Sequence, residues 1–340
     1  MDKHPLLVQI INKAKQQQHE NNNKTKDKPF VPLAKSTINI YVANINKLYR
    51  TTESNETLES LEWLTERSKI KSFVNSLNST NTRKNYLSAI LTLLNYDRER
   101  FKSELAFYTD IAQGNYENIT VEKKHDNKTI VEKVVTLQQF DDFLSTLSKD
   151  HCLKKEYLLF LFLRYFPIRN EIATLIYITA SDFNKLDKET KLSNNYIVEM
   201  SQTKKFKVIR SKYKTSNIFG TIQFEIVSNP LKNTIKNYVR YNEIASNSPL
   251  FMYHDKQMTE NQVSQRLSYV SEHSSLAVKL STSSIFKIIV SDYFNNTKDT
   301  IDEQKRFLKR FSLIRGTKLS TLVDYYIYKK DDDTSSINSE

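Results

Sequence analysis

The spacing of apolar residues divides this chain into two parts that must be built differently. From Ser36 to Ile111 apolar side chains recur at the 3.6-residue period of helices. A first segment carries Ile38, Tyr41, Val42, Ile45, Leu48 and Tyr49 behind a candidate cap at Ser36-Thr37. A second carries Leu61, Leu64, Ile70, Phe73, Val74 and Leu77, with a break near Ser68. A third starts at Ser79-Thr80-Asn81-Thr82 and runs through Tyr86, Leu87, Ile90, Leu93 and Leu94; a fourth spans roughly Arg98 to Ile111. Four amphipathic helices in so short a stretch predict one compact all-α domain over residues 33–114. Residues 115–134 are polar and are expected to form a linker.

The second part, residues 135–328, mixes two periods. Thr136 can cap a helix that buries Leu137, Phe140, Phe143 and Leu144. Residues 196–198, 206–209 and 221–227 read as strands, the last with clear alternation. Helical spacing returns at 231–241, 260–270, 283–294, 307–313 and 319–328. The expected fold class is mainly α with a small β-sheet, α+β. At the ends, a short helix over Leu6 to Lys15 runs into Gln/Asn/Lys low complexity. Residues 1–32 are therefore expected to be a flexible arm that buries no core, and residues 329–340 a polar tail.

Charge narrows the partners. Lys plus Arg number 51 against 39 Asp plus Glu, a formal net charge of +12. That balance suits a polyanion, since each phosphate neutralised releases condensed counterions; membranes and acidic proteins are polyanions too. The lone Cys152 excludes an internal disulfide and a Cys-based zinc site, and its apolar setting predicts a buried, inert thiol. The six histidines form no HxxxH or HxH pair, so no metal is expected, and no cofactor. The longest apolar run, Tyr157 to Leu163, is too short to span a bilayer, and no signal peptide is visible. An intracellular protein, located wherever its DNA lies, is the expectation.

Several short segments carry possible chemistry. Arg83 and Lys84 follow Ser79, Thr80 and Thr82 at a helix start, a setting for backbone phosphate contacts or for a solvated basic turn. Tyr165-Phe166-Pro167-Ile168-Arg169-Asn170-Glu171-Ile172 places an arginine at an expected helix start, where its fork could hold phosphate oxygens. Lys212-Tyr213-Lys214-Thr215 precedes a turn at Gly220, and Leu313-Ile314-Arg315-Gly316-Thr317-Lys318-Leu319 precedes the paired Tyr325 and Tyr326.

In this order the segments resemble the tyrosine recombinase and integrase family, over about residues 33 to 328, as a divergent member of viral or mobile-element type. The resemblance implies a helical core-binding domain and a larger catalytic domain with a three-stranded sheet. It implies a C-shaped clamp on double-stranded DNA, and dimers or tetramers on that DNA. Arg169 matches the first box. Lys214, preferred to Lys212, matches the family's β-hairpin lysine, the general acid toward the 5′ oxygen, although a solvated lysine turn would look alike. Thr317 stands where histidine is usual, and family spacing from it selects Tyr326 as nucleophile, with Tyr325 as fallback.

The second box departs from the pattern. It should hold His-x-x-Arg, yet one register puts Ser283 and Phe286 there, and the other puts Ser284 and Lys287. Lys287 restores a cation without the fork. Arg315 or His273 could fold into the gap. The implied reaction is attack by Tyr326 on a phosphodiester to give a 3′-phosphotyrosine, with Arg169 and Lys287 stabilising charge and no metal. Arg83, Lys84, Lys212 and Arg315 are the expected DNA contacts. Two rival readings remain at this stage: a degenerate relative that binds DNA without cutting it, and an unrelated basic scaffold.

Overall fold

The computed structural model describes residues 5–22, 33, 35–53, 58, 60–130, 135–200 and 205–326. The chain divides into two compact units, Met1–Thr129 and Ile130–Glu340, so the boundary falls inside the expected linker.

The first unit is helical: α1 (Pro5–Asn22), α2 (Lys35–Thr52), α3 (Arg67–Ser76), α4 (Thr80–Leu94) and α5 (Lys102–Ile130). Two sequence expectations change here. The N-terminal segment is no coreless arm, because α1 buries Leu7, Ile10, Ile11 and Ala14, and the first three join the same core as Val42, Ile45, Leu48 and Trp63. Those four positions repeat at i, i+3, i+4 and i+7, enough for one buried stripe even inside a polar segment. The expected linker is helical as well, since α5 continues to Ile130. Its polar residues include many Glu and Lys and no Pro, and such residues sustain a helix without a core. The break in the second predicted helix lies at Glu66, between a 3-10 turn (Glu62–Thr65) and α3. Ser79 caps α4 as expected, accepting from the Thr82 N–H.

The second unit opens with α6 (Leu137–Ser148), held by a reciprocal capping box between Thr136 and Gln139. Then follow α7 (Lys154–Tyr165), a 3-10 turn (Asn170–Thr174), β1 (Leu175–Thr179), α8 (Ala180–Lys185), α9 (Lys188–Ser193), β2 (Asn195–Met200) and β3 (Lys205–Arg210). Next come α10 (Ser216–Phe219), β4 (Ile222–Ile226), α11 (Asn229–Tyr241), β5 (Ser248–Pro249), β6 (Met252–Tyr253) and β7 (Lys256–Gln257). The last described elements are α12 (Glu260–Glu272), α13 (Thr282–Asn296), α14 (Ile301–Arg315) and α15 (Leu319–Tyr326). The fold is α+β, mostly helical with a small mixed sheet.

The main sheet has five strands in the order β4-β3-β2-β1-β5, where the resemblance implied three. Only β1 and β2 pair in parallel, because α8 and α9 carry the chain back between them. Both faces are covered. Ile197 and Val208 enter the large core with α6 and α7, while Tyr196, Val198 and Ile209 pack on the other face with Phe183 and Leu186. Double burial explains why β2 reads as a continuous apolar run, whereas β4 alternates, with Gln223 and Glu225 exposed. The segment after Arg169 was expected to be a helix. It is a 3-10 turn leading directly into β1, because Leu175-Ile176-Tyr177-Ile178-Thr179 is β-branched and aromatic. Cys152 is exposed, not buried: it sits in a one-turn 3-10 segment outside α7, with its N–H held by Asp150.

Candidate active site

The site is built around the end of α14. Gly316 takes φ 63° and ψ 48°, its N–H donates to Leu313 and the Thr317 N–H donates to Ser312 at 2.9 Å. This is the Schellman ending that a left-handed glycine permits. It turns the Gly316 carbonyl toward two other segments. Arg169 Nη2 donates to that oxygen at 3.2 Å, and Thr215 Oγ1 donates to it at 2.7 Å. The first and last boxes thus meet the segment that carries Lys214 at one carbonyl.

Two buried arginines hold these segments. Arg210, at the end of β3, is fully buried, pairs with Glu171, donates to the Ile314 carbonyl and lies over the Tyr213 ring at 4.4 Å. Burial lowers its pKa from the ordinary arginine value, against the opposing pull of Glu171. Arg315 is 1% exposed. Its guanidinium donates to the carbonyls of Ile168 (2.8 Å), Pro167 (3.3 Å) and Thr282 (3.3 Å), and to Ser283 Oγ at 2.7 Å. It also faces the Phe286 ring at 5.2 Å. A guanidinium therefore stands beside Ser283 and Phe286, the two residues that one register puts in the second box, but it is spent on carbonyls and the Ser283 hydroxyl. Arg315 is a cross-link between the first box and the start of α13, and this inward position corrects its reading as a DNA contact: a buried fork committed to backbone acceptors presents no face to phosphate.

The other expected residues are placed as follows. Arg169 is half-buried, and its Nη1 has no partner among the described residues. Lys214 is exposed, in the connection between β3 and β4. It is not on the β2–β3 hairpin, whose tip, residues 201–204, lies outside the described residues. Lys212 is exposed, and its backbone is fixed by buried Asn195, which accepts from its N–H at 2.9 Å and donates to its carbonyl at 2.7 Å. Lys287 is half-buried on α13. Thr317 is buried, and its N–H is spent on the Ser312 carbonyl. Tyr325 and Tyr326 lie in the last turn of α15, and their side chains are outside the described residues. The start of α15 is anchored by Leu322, packed with Phe286, Val290 and Leu308. His273 stays at the end of α12, stacked on Tyr269 with centroids 4.3 Å apart.

In the first unit, Arg83 donates to the carbonyls of Leu77 (2.7 Å) and Asn75 (3.0 Å), closing the end of α3, while Lys84 is exposed above the Tyr116 ring. Arg83 thus holds a helix end.

Sequence reasoning missed Arg210, Thr215 and Asn195 as positioning residues. The signal available was an arginine closing an apolar strand, since the partners of Arg210 and Thr215 are 39 to 104 residues away in the chain and those of Asn195 16 to 21. Among the described residues, no group of His, Cys, Asp and Glu could hold a metal ion, and no helix is long and apolar enough to cross a membrane.

One change tests the geometry at the turn. A Cβ on Gly316 would meet Thr215 Oγ1 at 2.8 Å and the Tyr213 ring at 3.0 Å, at a φ that L residues rarely adopt. Gly316→Ala is expected to cost about 2 kcal/mol. Urea unfolding of the full chain measures it, and a change near zero would mean that the turn relaxes freely.

No family model matches this chain, and no curated protein matches it. Among solved structures it is similar to the crystal structure of XerA recombinase, with a TM-score of 0.40 and 11% identity over 95% of this chain and 94% of that one.

Proposed function

We propose that this protein binds double-stranded DNA and breaks and rejoins it through a 3′-phosphotyrosine formed by Tyr326, in the manner of a tyrosine recombinase. The observation that carries the reading is the meeting of Arg169 and Thr215 at the carbonyl of Gly316. Three segments far apart in sequence, each singled out for recombinase-like chemistry, share one turn. Their convergence supports the recombinase reading over an unrelated scaffold.

In this reading the Tyr326 hydroxyl attacks the phosphorus, the bond to the 5′ oxygen breaks, and Lys214 delivers a proton to that oxygen. Arg169 and Lys287 stabilise the charge that develops on the phosphate. Return attack by a 5′ hydroxyl releases the tyrosine, so rejoining needs no external energy. Lys84 and Lys212 contact the phosphate backbone, and the protein self-associates as dimers or tetramers on DNA.

A second reading is favoured by Arg315. The Arg315 guanidinium beside Ser283 is spent on carbonyls, and Lys287 lacks the bidentate fork. By this reading the protein binds DNA without cutting it.

The test uses nicked duplexes taken from DNA flanking the protein's own gene, which trap a covalent intermediate by losing the 5′ fragment. Wild type is expected to give a protein–DNA band on a denaturing gel. Tyr326→Phe should abolish it, and Arg169→Ala should lower its rate by about 10²–10³. A band that survives Tyr326→Phe moves the role to another tyrosine. Binding with no band from wild type selects the second reading.

A further inference from the structure

A cavity of ≈ 530 Å³ opens at the other end of α7, where the close of α6 and the face of α11 come together. Twelve residues of α7 lead from Lys154 at its rim to Tyr165, a rise of about 18 Å toward the Arg169 segment. The cavity therefore shares no element with the turn at Gly316 and is unused by the chemistry proposed there.

Its lining has a definite character. Three tyrosines (Tyr157, Tyr238 and Tyr241) and three basic side chains (His151, Lys154 and Arg240) contribute to it, and no carboxylate does among the described residues. None of these basic groups has an ion-pair partner there. Lys154 Nζ stands 3.5 Å from the ring centroid of Tyr241, whose side is otherwise open, the residue being 68% exposed. Tyr238 is the opposite case. It is only 8% exposed, yet it lines the cavity and its hydroxyl has no hydrogen-bond partner among the described residues. Burial, with the nearby Glu156, pushes that phenol up to about 12, so it stays a protonated donor at any ordinary pH. A hydroxyl on the cavity wall is available to donate to whatever occupies the cavity.

A cavity of this size takes a small ligand. Unpaired cations ask for a phosphate, an exposed ring backed by a cation offers a stacking platform, and a fixed O–H asks for an acceptor on a base or sugar. We propose that this cavity binds a nucleotide unit, with the base stacked on Tyr241, the phosphate held by Lys154 and Arg240, and the Tyr238 hydroxyl donating to the ligand. Two sources share that chemistry: a free nucleoside phosphate, or one nucleotide of a single-stranded DNA.

Both are tested on the full chain with ATP and with a fluorescein-labelled 20-residue oligo-dT, using calorimetry for the first and anisotropy for the second. Tyr241→Ala, Arg240→Ala and Tyr238→Phe are the variants, and thermal melting confirms that each is folded. The expected result is saturable binding of at least one probe, weakened roughly tenfold or more by Tyr241→Ala, in line with the worth of one stacked base. Binding of ATP with that loss identifies a free-nucleotide site; binding of oligo-dT alone with that loss identifies a single-strand site. The proposal is overturned if neither probe binds, if the three variants bind as wild type does, or if inorganic phosphate competes as well as ATP. Tyr326→Phe, run in parallel, should leave binding at this cavity unchanged, which separates its outcome from that of the recombinase reading.

Discussion

Arg210→Ala is expected to destabilise the second unit by about 3–5 kcal/mol, the usual cost of breaking a buried ion pair from one side. Arg210 is fully buried and Glu171 nearly so, with 6% of its side chain exposed. Removing the guanidinium leaves a carboxylate in a dry site and the Ile314 carbonyl without its donor. The Tyr213 ring also loses the planar group it packs against. The loss should show as a lower denaturation midpoint by circular dichroism. A double replacement, Glu171→Leu with Arg210→Met, removes both charges and should recover much of the stability, because two apolar side chains need no partners. A single variant that loses less than about 1 kcal/mol would mean that water reaches the pair and screens it. Arg210 is followed directly by the segment that carries Lys214 and Thr215, so any covalent activity should fall with its loss even where the chain remains folded.

Arg315→Ala should cost a similar amount, about 3–5 kcal/mol, for a different reason. Here no charge is stranded; three carbonyls lose their donor, each an expense of about 1–3 kcal/mol when buried and not fully additive. Arg315→Lys should recover only part of this, since a point ammonium cannot span Ile168, Thr282 and Ser283 as a planar fork does. The decisive measurement is DNA binding by a folded, uncharged variant, Arg315→Gln, across a salt series. A buried cross-link predicts an unchanged slope of affinity against salt. A slope reduced by about one would show that Arg315 reaches a phosphate after all.

These two arginines show where sequence reading stops. Arg169 could be singled out because its neighbours form a recognisable run, and Gly316 because a glycine between a helix and a Thr-Lys-Leu start has a local reason to exist. Arg315 sits inside an equally recognisable run, yet its role was misassigned. Nothing local distinguishes a guanidinium that turns inward to the carbonyls of Pro167 and Thr282 from one that faces solvent. Lys214 was legible as far as its setting is local: it precedes the turn at Gly220, between the antiparallel strands β3 and β4.

The sequence by itself determined what depends on near neighbours along the chain. The helices from α2 to α4 and from α11 to α15 follow from period and caps, and the alternation of β4 follows from its one exposed face. It also determined the basic balance of the whole chain and the narrow choice of segments that could carry chemistry. Only the tertiary structure decided that α1 belongs to the first core, that α5 runs through the polar stretch, and that the sheet has five strands. Only it decided, too, that Arg169 and Thr215 share the carbonyl of Gly316 while Arg315 is used up in the core. For the site the physical reason is separation along the chain. Period and capping are set within a few residues, but which donor meets the Gly316 carbonyl is fixed by packing between segments more than a hundred residues apart.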